Sequence, residues 1–125
     1  MKIYLAACFE QQAEVRTKAN QLANLGIECV SRWRFEEGNN TMGNAECARM
    51  DLEDIRAADM FVVLTDQTSP SGGKHVETGY AIALGKPVMI VGRKENVFHN
   101  LPQIMQMETW ADALSRLEEE AVLFA

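Results

Sequence analysis

Residues 60–91 read MFVVLTDQTSPSGGKHVETGYAIALGKPVMIV, and this stretch decides the fold. It opens with a continuous apolar run at 60–64, which is typical of a strand buried on both faces of a parallel sheet. A turn rich in Ser, Pro and Gly follows, and then an apolar helical pattern that ends near Gly85 and Pro87. A second apolar run at 88–91 predicts the next strand. The stretch is therefore a strand–helix–strand unit with parallel strands.

The same alternation extends along the chain in both directions. We predict further strands at 2–7, 27–31 and 104–107, and further helices at 10–25, 44–57 and from residue 109. Strands that alternate with helices favour a doubly wound parallel sheet with right-handed crossovers. Five strands in 125 residues suit a flavodoxin-like three-layer α/β sandwich of strand order 2-1-3-4-5, formed by a single domain over residues 1–125.

Capping residues and loops refine this prediction. Asn44 is expected to cap the second helix, and Thr109 with Asp112 three residues later resembles a capping box for the last helix. Residues 32–43 and 92–102 are polar and lack a period, so we predict loops there. Long loops in compact domains are usually functional.

The composition limits the possible partners. A formal net charge of −6 disfavours binding to nucleic acid polymers or to anionic membranes. It permits a small anionic ligand, because backbone amides can bind phosphate without charged side chains. No apolar run approaches the roughly 18 residues of a membrane span, and the first apolar run suits a strand better than a signal peptide. Three cysteines without metal spacing indicate reduced thiols and a cytoplasmic location.

Glu77 is the residue that an ordinary core helix would not contain. It shares a helical face with Tyr80, Ala81 and Leu84, and a carboxylate on an apolar face is costly unless it is paired. One alternative is structural, with Glu77 paired to a nearby lysine (Lys74 or Lys86) or to a residue of a partner subunit. The other is chemical, with Glu77 as a nucleophile or general base. A carboxylate suits attack at the anomeric carbon of a sugar.

The turn before this helix is a candidate anion site. Ser69, Ser71, Gly72 and Gly73 are small, so backbone amides can approach a ligand at the positive end of the helix. The alternative is a plain glycine-rich turn. Ligands of doubly wound sheets bind beyond the carboxyl ends of the strands, near the switch point between the first and third strands, and that rule includes this turn.

Other candidate site residues follow the predicted strands or border a helical stripe. Asp51 and Asp66 are candidates for a second acid, whereas Asp59 opens a strand at the opposite edge and is expected to be a turn residue. Phe9 and Trp33 lie in loops after strands, where they could sandwich a flat ring or simply cover the core. No His, Cys or Asp set has metal spacing, so we expect neither a metal ion nor a cofactor.

Four segments together resemble one known family. The segments are KIYLAACF at 2–9, MDLEDIRAADMFVVLTD at 50–66, SGGKHVETGYAIALGKPV at 71–88 and ENVFHNLP at 95–102. They are similar to the nucleoside 2-deoxyribosyltransferase superfamily, which includes nucleoside 5′-monophosphate N-glycosidases. The run from Glu77 to Pro87 is the most specific part. The resemblance implies a flavodoxin-like fold and homodimers or higher oligomers with sites near subunit contacts.

The resemblance also implies roles for individual residues. Glu77 would attack C1′ of the (deoxy)ribose and displace the base, and another base or water would resolve the glycosyl-enzyme. Asp51 would bind or help protonate the leaving base, or hold the sugar. The transferases carry Asp where this chain has Ser71, whereas Ser71 and Gly73 match the monophosphate hydrolases, in which they bind the 5′-phosphate. Cys8 departs from the family pattern in the first loop.

These implications lead to two functional hypotheses. The first is cleavage or transfer at the N-glycosidic bond of a (deoxy)nucleoside, with its 5′-monophosphate preferred and with Phe9 or Trp33 covering the base. The alternative is a non-catalytic nucleotide-binding or sensing domain of the same fold. A sensing domain would be stabilised by its ligand without turnover.

Overall fold

The computed structural model describes residues 1–36, 43–68 and 71–124 and contains one sheet of five parallel strands. The strands are β1 (Lys2–Ala6), β2 (Glu28–Cys29), β3 (Met60–Leu64), β4 (Val88–Val91) and β5 (Ile104–Met107). Their order is β2-β1-β3-β4-β5, and every neighbouring pair is parallel. The predicted α/β class and strand order are confirmed.

Four helices cover the two faces of the sheet. They are α1 (Gln12–Ala23), α2 (Asn44–Ala57), α3 (Gly73–Ala83) and α4 (Trp110–Phe124). The indole of Trp110 donates to Gln21 Oε1 at 2.6 Å, which joins α4 to α1. Arg56 donates to the Tyr80 hydroxyl at 2.6 Å, which joins α2 to α3 on the other face. None of the described helices is both long and apolar enough to cross a membrane.

Strand β2 is shorter than the predicted strand at 27–31. The reason is a side chain that replaces a backbone partner. Ser31 Oγ accepts the Leu5 N–H at 2.6 Å, a bond that a longer β2 would supply from its main chain. The chain can therefore leave the sheet at this point and turn toward the carboxyl edge.

Three short 3₁₀ turns, not predicted from the sequence, follow strands β1, β2 and β4. They cover Phe9–Gln11, Arg32–Phe35 and Val97–Asn100. The first of them means that α1 starts at Gln12 and not at residue 10. The second lies within the predicted loop at 32–43. Residues 37–42 of that loop, and Ser69 of the predicted anion turn, lie outside the described residues.

The two predicted helix caps have different outcomes. Asn44 is the first residue of α2, while Gly43 occupies the N-cap position without a side-chain hydrogen bond, so the predicted Asn44 cap is wrong. At the last helix, Thr109 Oγ1 accepts the Asp112 N–H at 3.1 Å, and the predicted cap is confirmed.

The core places one polar group close to the carboxyl edge. Tyr4 of β1 is fully buried, and its ring stacks on Phe61 of β3 with the ring centroids 5.6 Å apart. Burial of both rings stabilises the pairing of β1 with β3 through removal of apolar surface from water. The same packing fixes the direction of the Tyr4 hydroxyl, which leaves the core on the α2/α3 face.

Candidate active site

A cavity of about 140 Å³ opens at the carboxyl edge of β1 and β3, on the side of α2 and α3. We call it the α2/α3 cavity; it is lined by Ala7, Phe9, Trp33, Glu36, Asp51, Ser71, Gly73, Lys74 and Glu77. Apart from Ser69, which lies outside the described residues, the residues that the sequence predicted for the site are brought together here, with two exceptions. Gly72 and Asp66 do not line the cavity.

Glu77 lies in the second turn of α3 and is held by the core tyrosine. Its Oε2 accepts a hydrogen bond from the Tyr4 hydroxyl at 2.9 Å. Neither lysine of the structural alternative pairs with it. Lys74 is bound elsewhere, and Lys86 donates to the carbonyl groups of residues 56 and 58 at 2.9 and 2.7 Å. Pairing of Glu77 with either lysine is therefore wrong.

The carboxyl groups of Glu77 and Asp51 titrate as a pair. Burial, followed by the charge of Asp51, raises the pKa of Glu77 to about 8, although the hydrogen bond from Tyr4 acts in the opposite direction. Burial, followed by the charge of Glu36, raises the pKa of Asp51 to about 6, while its hydrogen bond with Glu77 lowers it. Two acids of this kind share a proton, so the pair carries one proton between about pH 6 and 8.

Between about pH 6 and 8 the Tyr4 hydroxyl keeps its proton and remains a hydrogen-bond donor. Its burial, reinforced by the charge of Glu77, raises its pKa well above the usual value of a phenol. A neutral phenol donates to the carboxylate form of Glu77 and stabilises it. Tyr4 was not predicted as a site residue, although it stands in the KIYLAACF segment on which the family resemblance rests.

Asp51 projects from α2, and the same helix holds the turn that follows β2. Asp54, one turn later, accepts the Arg32 main-chain N–H at 3.0 Å and its Nε–H at 2.9 Å. This charge-assisted pair fixes the 3₁₀ turn at 32–35 against α2. Asp51 Oδ1 is buried and, within the described parts of the chain, has no hydrogen-bond partner.

Glu36 is a third acid in the cavity, and the sequence reasoning missed it. Its Oε1 is buried and has no hydrogen-bond partner among residues 1–36, 43–68 and 71–124. Its main chain is held firmly, because Gln12 Nε2 donates to the carbonyl groups of Trp33 and Glu36 at 2.9 and 2.7 Å. The only sequence signal was its position in a long loop after a strand.

The two aromatic residues of the cavity differ in exposure. Trp33 is 5% exposed, and its indole donates to the Leu5 carbonyl at 2.8 Å, so its ring is a fixed wall. Phe9 is 45% exposed and lies at the rim. An exposed ring at the rim is free to stack on a flat ligand.

The turn before α3 has the geometry of a helix start that can receive an anion. Gly72 is the N-cap with φ 73°, a left-handed conformation that favours glycine, and α3 begins at Gly73. The first N–H groups of a helix lack intrahelical partners and carry partial positive charge. Ser71 is exposed beside them. Ser71 and Gly73 line the cavity, and Gly72 supports the turn from outside it.

Lys74 adds a buried positive charge directly below this turn. Its side chain is 0% exposed, and Nζ donates to the Gln67 carbonyl at 2.7 Å and to the Leu64 carbonyl at 3.3 Å. Glu95 Oε1 lies 3.1 Å from Nζ but outside hydrogen-bond geometry, so that contact is ionic. Lys74 thereby ties the β3–α3 connection to the loop after β4.

Asp66 and Asp59 lie away from the α2/α3 cavity. Asp66 Oδ1 accepts from Gln11 Nε2 at 3.0 Å and faces a second cavity on the other side of the sheet. Asp59 accepts the Lys2 N–H at 2.8 Å at the opposite edge, as expected for a turn residue. Within the described ranges, no set of three His, Cys, Asp or Glu residues is placed to hold a metal ion.

Comparison with known proteins identifies the family. The family model for nucleoside 2-deoxyribosyltransferase matches residues 3–114. No curated protein matches this sequence significantly.

Two solved structures have the same fold. A 2-deoxyribosyltransferase from Bacillus psychrosaccharolyticus is 27% identical, with a TM-score of 0.75, over 91% of this chain and 90% of that one. The CMP N-glycosidase BcmB of Clostridium botulinum is 19% identical, with a TM-score of 0.69, over 95% of this chain and 99% of that one. The chain belongs to the nucleoside 2-deoxyribosyltransferase family and is a glycosyl-transferring or glycosyl-cleaving enzyme.

Proposed function

We propose that this enzyme cleaves the N-glycosidic bond of a nucleoside 5′-monophosphate through a glycosyl–Glu77 intermediate. The observation that carries the proposal is the environment of Glu77. Its carboxyl group accepts a hydrogen bond from Tyr4 and lines, together with Asp51, a cavity that opens on the start of α3. A carboxylate held in this way suits attack at an anomeric carbon.

The placement of the substrate follows from the ends of the cavity. The phosphate binds at Ser71 and Gly73, where the first N–H groups of α3 favour an anion. The sugar then lies over Glu77, and the base stacks on Phe9 against the wall formed by Trp33. The Clostridium botulinum protein, which is named a CMP N-glycosidase, has the same fold as this chain. This likeness of fold is the support that it gives to a monophosphate substrate.

The shared proton gives the reaction its acid and its nucleophile. The raised pKa of Glu77 places the shared proton mainly on Glu77, and the reaction starts from the less populated form, in which Asp51 holds the proton and Glu77 is ionised. The Glu77 oxygen then forms a bond to C1′, the bond from C1′ to the base nitrogen breaks, and Asp51 donates its proton to the departing base. Tyr4 keeps Glu77 oriented and stabilises its charge before attack.

The second half of the reaction restores the enzyme. Water attacks C1′ of the glycosyl–Glu77 ester, Asp51 accepts the proton of that water, and Glu77 leaves as a carboxylate. A free base in place of water would complete a transfer, as in the Bacillus psychrosaccharolyticus enzyme named a 2-deoxyribosyltransferase. We also propose that the chain is a single cytoplasmic domain and that it forms a homodimer or higher oligomer. Sedimentation would test the oligomeric state.

The direct experiment is a substrate panel. Nucleosides and nucleoside 5′-monophosphates, with ribose and deoxyribose, are incubated with the wild type with and without a free acceptor base. We expect base release, faster from monophosphates, and a loss of at least about a thousandfold in Glu77→Gln. Glu14→Gln, a carboxylate in the second cavity, is the matched control and should keep its rate.

Two results would contradict the proposal. Equal base release by the wild type and Glu77→Gln would show that Glu77 takes no part in the reaction. Thermal stabilisation by monophosphates with no base release from any substrate would identify the chain as a non-catalytic nucleotide-binding domain.

A further inference from the structure

Three acids, Glu77, Asp51 and Glu36, line the α2/α3 cavity. The charge of Asp51 is the second cause, after burial, of the raised pKa of Glu77, whereas the charge of Glu36 contributes least among the causes given for it. For Asp51, in contrast, Glu36 is the largest electrostatic cause. Asp51 thus acts more strongly on Glu77 than Glu36 does, and Glu36 acts mainly on Asp51.

The sheet order sets the direction of the cavity. The turn with Ser71 and Gly73 follows β3, the turn with Glu36 follows β2, and β1 lies between these two strands. The two turns line the same cavity, one from the β3 side and one from the β2 side. A ligand with its phosphate at the β3 end and its sugar over Glu77 directs its far end, the base, toward β2 and Glu36.

The chemistry at that far end is specific. Glu36 Oε1 is buried, and no donor from the described residues reaches it. No ion pair within those ranges involves Glu36 either. A buried carboxylate oxygen without a donor costs free energy, and a ligand that supplies an N–H recovers it. A carbonyl oxygen of a ligand would be repelled at the same place.

We propose that Glu36 is a specificity residue that selects nucleobases carrying an exocyclic amino group over their oxo counterparts. This inference rests on the proposed function for the orientation of the substrate. The amino group of cytosine or adenine donates to Glu36 Oε1. Uracil and hypoxanthine place a carbonyl oxygen at the equivalent ring position and leave the carboxylate unpaired.

Glu36 is held where such a contact requires it. Gln12 fixes the main chain of residues 33 and 36 through two hydrogen bonds, and the Arg32–Asp54 pair fixes the start of the same turn. Arg32 itself is engaged by Asp54 and Glu53 and does not neutralise Glu36. The carboxylate is thus presented by a fixed main chain, which is the condition for discrimination between two similar rings.

The test compares two matched pairs of substrates. The kcat/KM for base release is measured with cytidine and uridine 5′-monophosphates, and with adenosine and inosine 5′-monophosphates. We expect the wild type to favour the amino base by roughly ten- to hundredfold in the pair that it accepts. Glu36→Gln should bring the ratio to within about threefold, because its amide can donate to a carbonyl as well as accept from an amine.

The control and a second measurement keep this inference separate from the proposed function. Glu46→Gln removes an exposed carboxylate from the start of α2, with the same change in net charge, and should keep the wild-type ratio. The dissociation constants of the same monophosphates are also measured in the Glu77→Gln background. An absence of base release from every substrate would contradict the proposed function, while the ratio of dissociation constants would still test Glu36.

Two results would overturn the inference. One is a preference for amino over oxo bases, measured as a ratio of kcat/KM values or of dissociation constants, that is the same in the wild type and in Glu36→Gln. The other comes from measuring deoxycytidine monophosphate beside these substrates: a change confined to the ratio of cytidine to deoxycytidine monophosphate would place Glu36 against a sugar hydroxyl group.

Discussion

Two cavities lie at the carboxyl edge of the same sheet, one on each face, and both contain acids. The second, which we call the α1/α4 cavity, measures about 150 Å³ and is lined by Glu14, Lys18, Leu64, Asp66, Val91, Gly92, Glu108, Thr109 and Trp110. Two of its three acids are paired within the protein, since Glu14 Oε2 accepts from Lys18 Nζ at 2.8 Å and Asp66 accepts from Gln11; the third, Glu108, is exposed.

The α2/α3 cavity differs in how its acids are satisfied. Asp51 and Glu36 each present a buried oxygen that no described residue reaches, and the partners of Glu77 among those residues are a neutral phenol and a second acid. Buried polar groups in proteins are normally paired, so unpaired ones mark a place where a ligand completes the bonding. Two cavities of similar size thus have different purposes, and the following variants compare them.

The largest expected difference between the two cavities is in the free energy of unfolding when the lysine of each cavity, Lys74 or Lys18, is replaced. Lys74→Met leaves Glu95 buried without its cation and frees the β3–α3 connection, so we expect a loss of about 3 kcal/mol in the free energy of unfolding. Lys18→Met breaks a partly exposed pair with Glu14 and should cost less than about 1 kcal/mol. Urea denaturation measures both, and equal losses would show that the charges of the two cavities are not held differently.

The pH dependence of the rate comes next. Below about pH 6 the Asp51–Glu77 pair takes up a second proton and the nucleophile is lost, whereas above about pH 8 the pair loses its acid proton. We expect a bell-shaped profile of kcat/KM that falls roughly tenfold per pH unit beyond either limit. Asp51→Asn should remove the alkaline limb, and Glu14→Gln should leave the profile unchanged. A flat profile from pH 5 to 9 would contradict the shared proton.

Two glycines provide a third comparison. Gly92 of the α1/α4 cavity has φ 124°, and a Cβ there would lie 2.5 Å from Thr65 Oγ1, so Gly92→Ala should cost on the order of 2 kcal/mol. At Gly73 a Cβ meets no atom within 4 Å. Gly73→Ala should therefore keep the melting temperature and weaken monophosphate binding about tenfold, since the methyl group occupies the place of the phosphate. Unchanged binding of monophosphates by Gly73→Ala would show that the phosphate does not bind at this turn.

The smallest effect concerns stability. The pKa of Glu77 is raised from 4.5 to about 8, so the folded state favours its protonated form, and that contribution is present below pH 4.5 and lost as the pH rises through 8. Glu77→Gln removes the charge but can keep both partners. At pH 9 it should gain on the order of 1 kcal/mol, with little change at pH 5. Glu14→Gln should lose a little stability at both pH values. A similar loss of stability in Glu77→Gln would indicate that Glu77 is a structural acid.

Some elements were predictable because their signal is local. Strands β3, β4 and β5 have the predicted limits, since each is a short run of wholly or mainly apolar residues bounded by polar or turn residues. Glu77 was identified because it shares a helical face with apolar residues, but the residues that α3 buries are Lys74, Thr78 and Ala81, and Leu84 of the predicted face is exposed. The end of β2 was not predictable, because it depends on the Ser31 side chain replacing a main-chain acceptor for Leu5.

The partners within the site required the three-dimensional structure. Tyr4 and Glu77 are 73 residues apart in the chain, and a tyrosine in an apolar strand predicts burial without indicating where its hydroxyl points. Glu36 lies in a segment without periodicity, where one acid is indistinguishable from its neighbours. The pairing of Lys74 with Glu95 likewise depends on two loops meeting at the edge of the sheet.

The early end of β2 also affects how copies of this chain can associate. An exposed edge strand offers unpaired N–H and C=O groups to other molecules, and its capacity to recruit them grows with its length. Here the edge strand contains two residues, Glu28 and Cys29, which leaves little backbone for a neighbouring chain to extend. The turn that delivers Trp33 and Glu36 to the cavity therefore also protects this edge of the sheet against aggregation by strand addition.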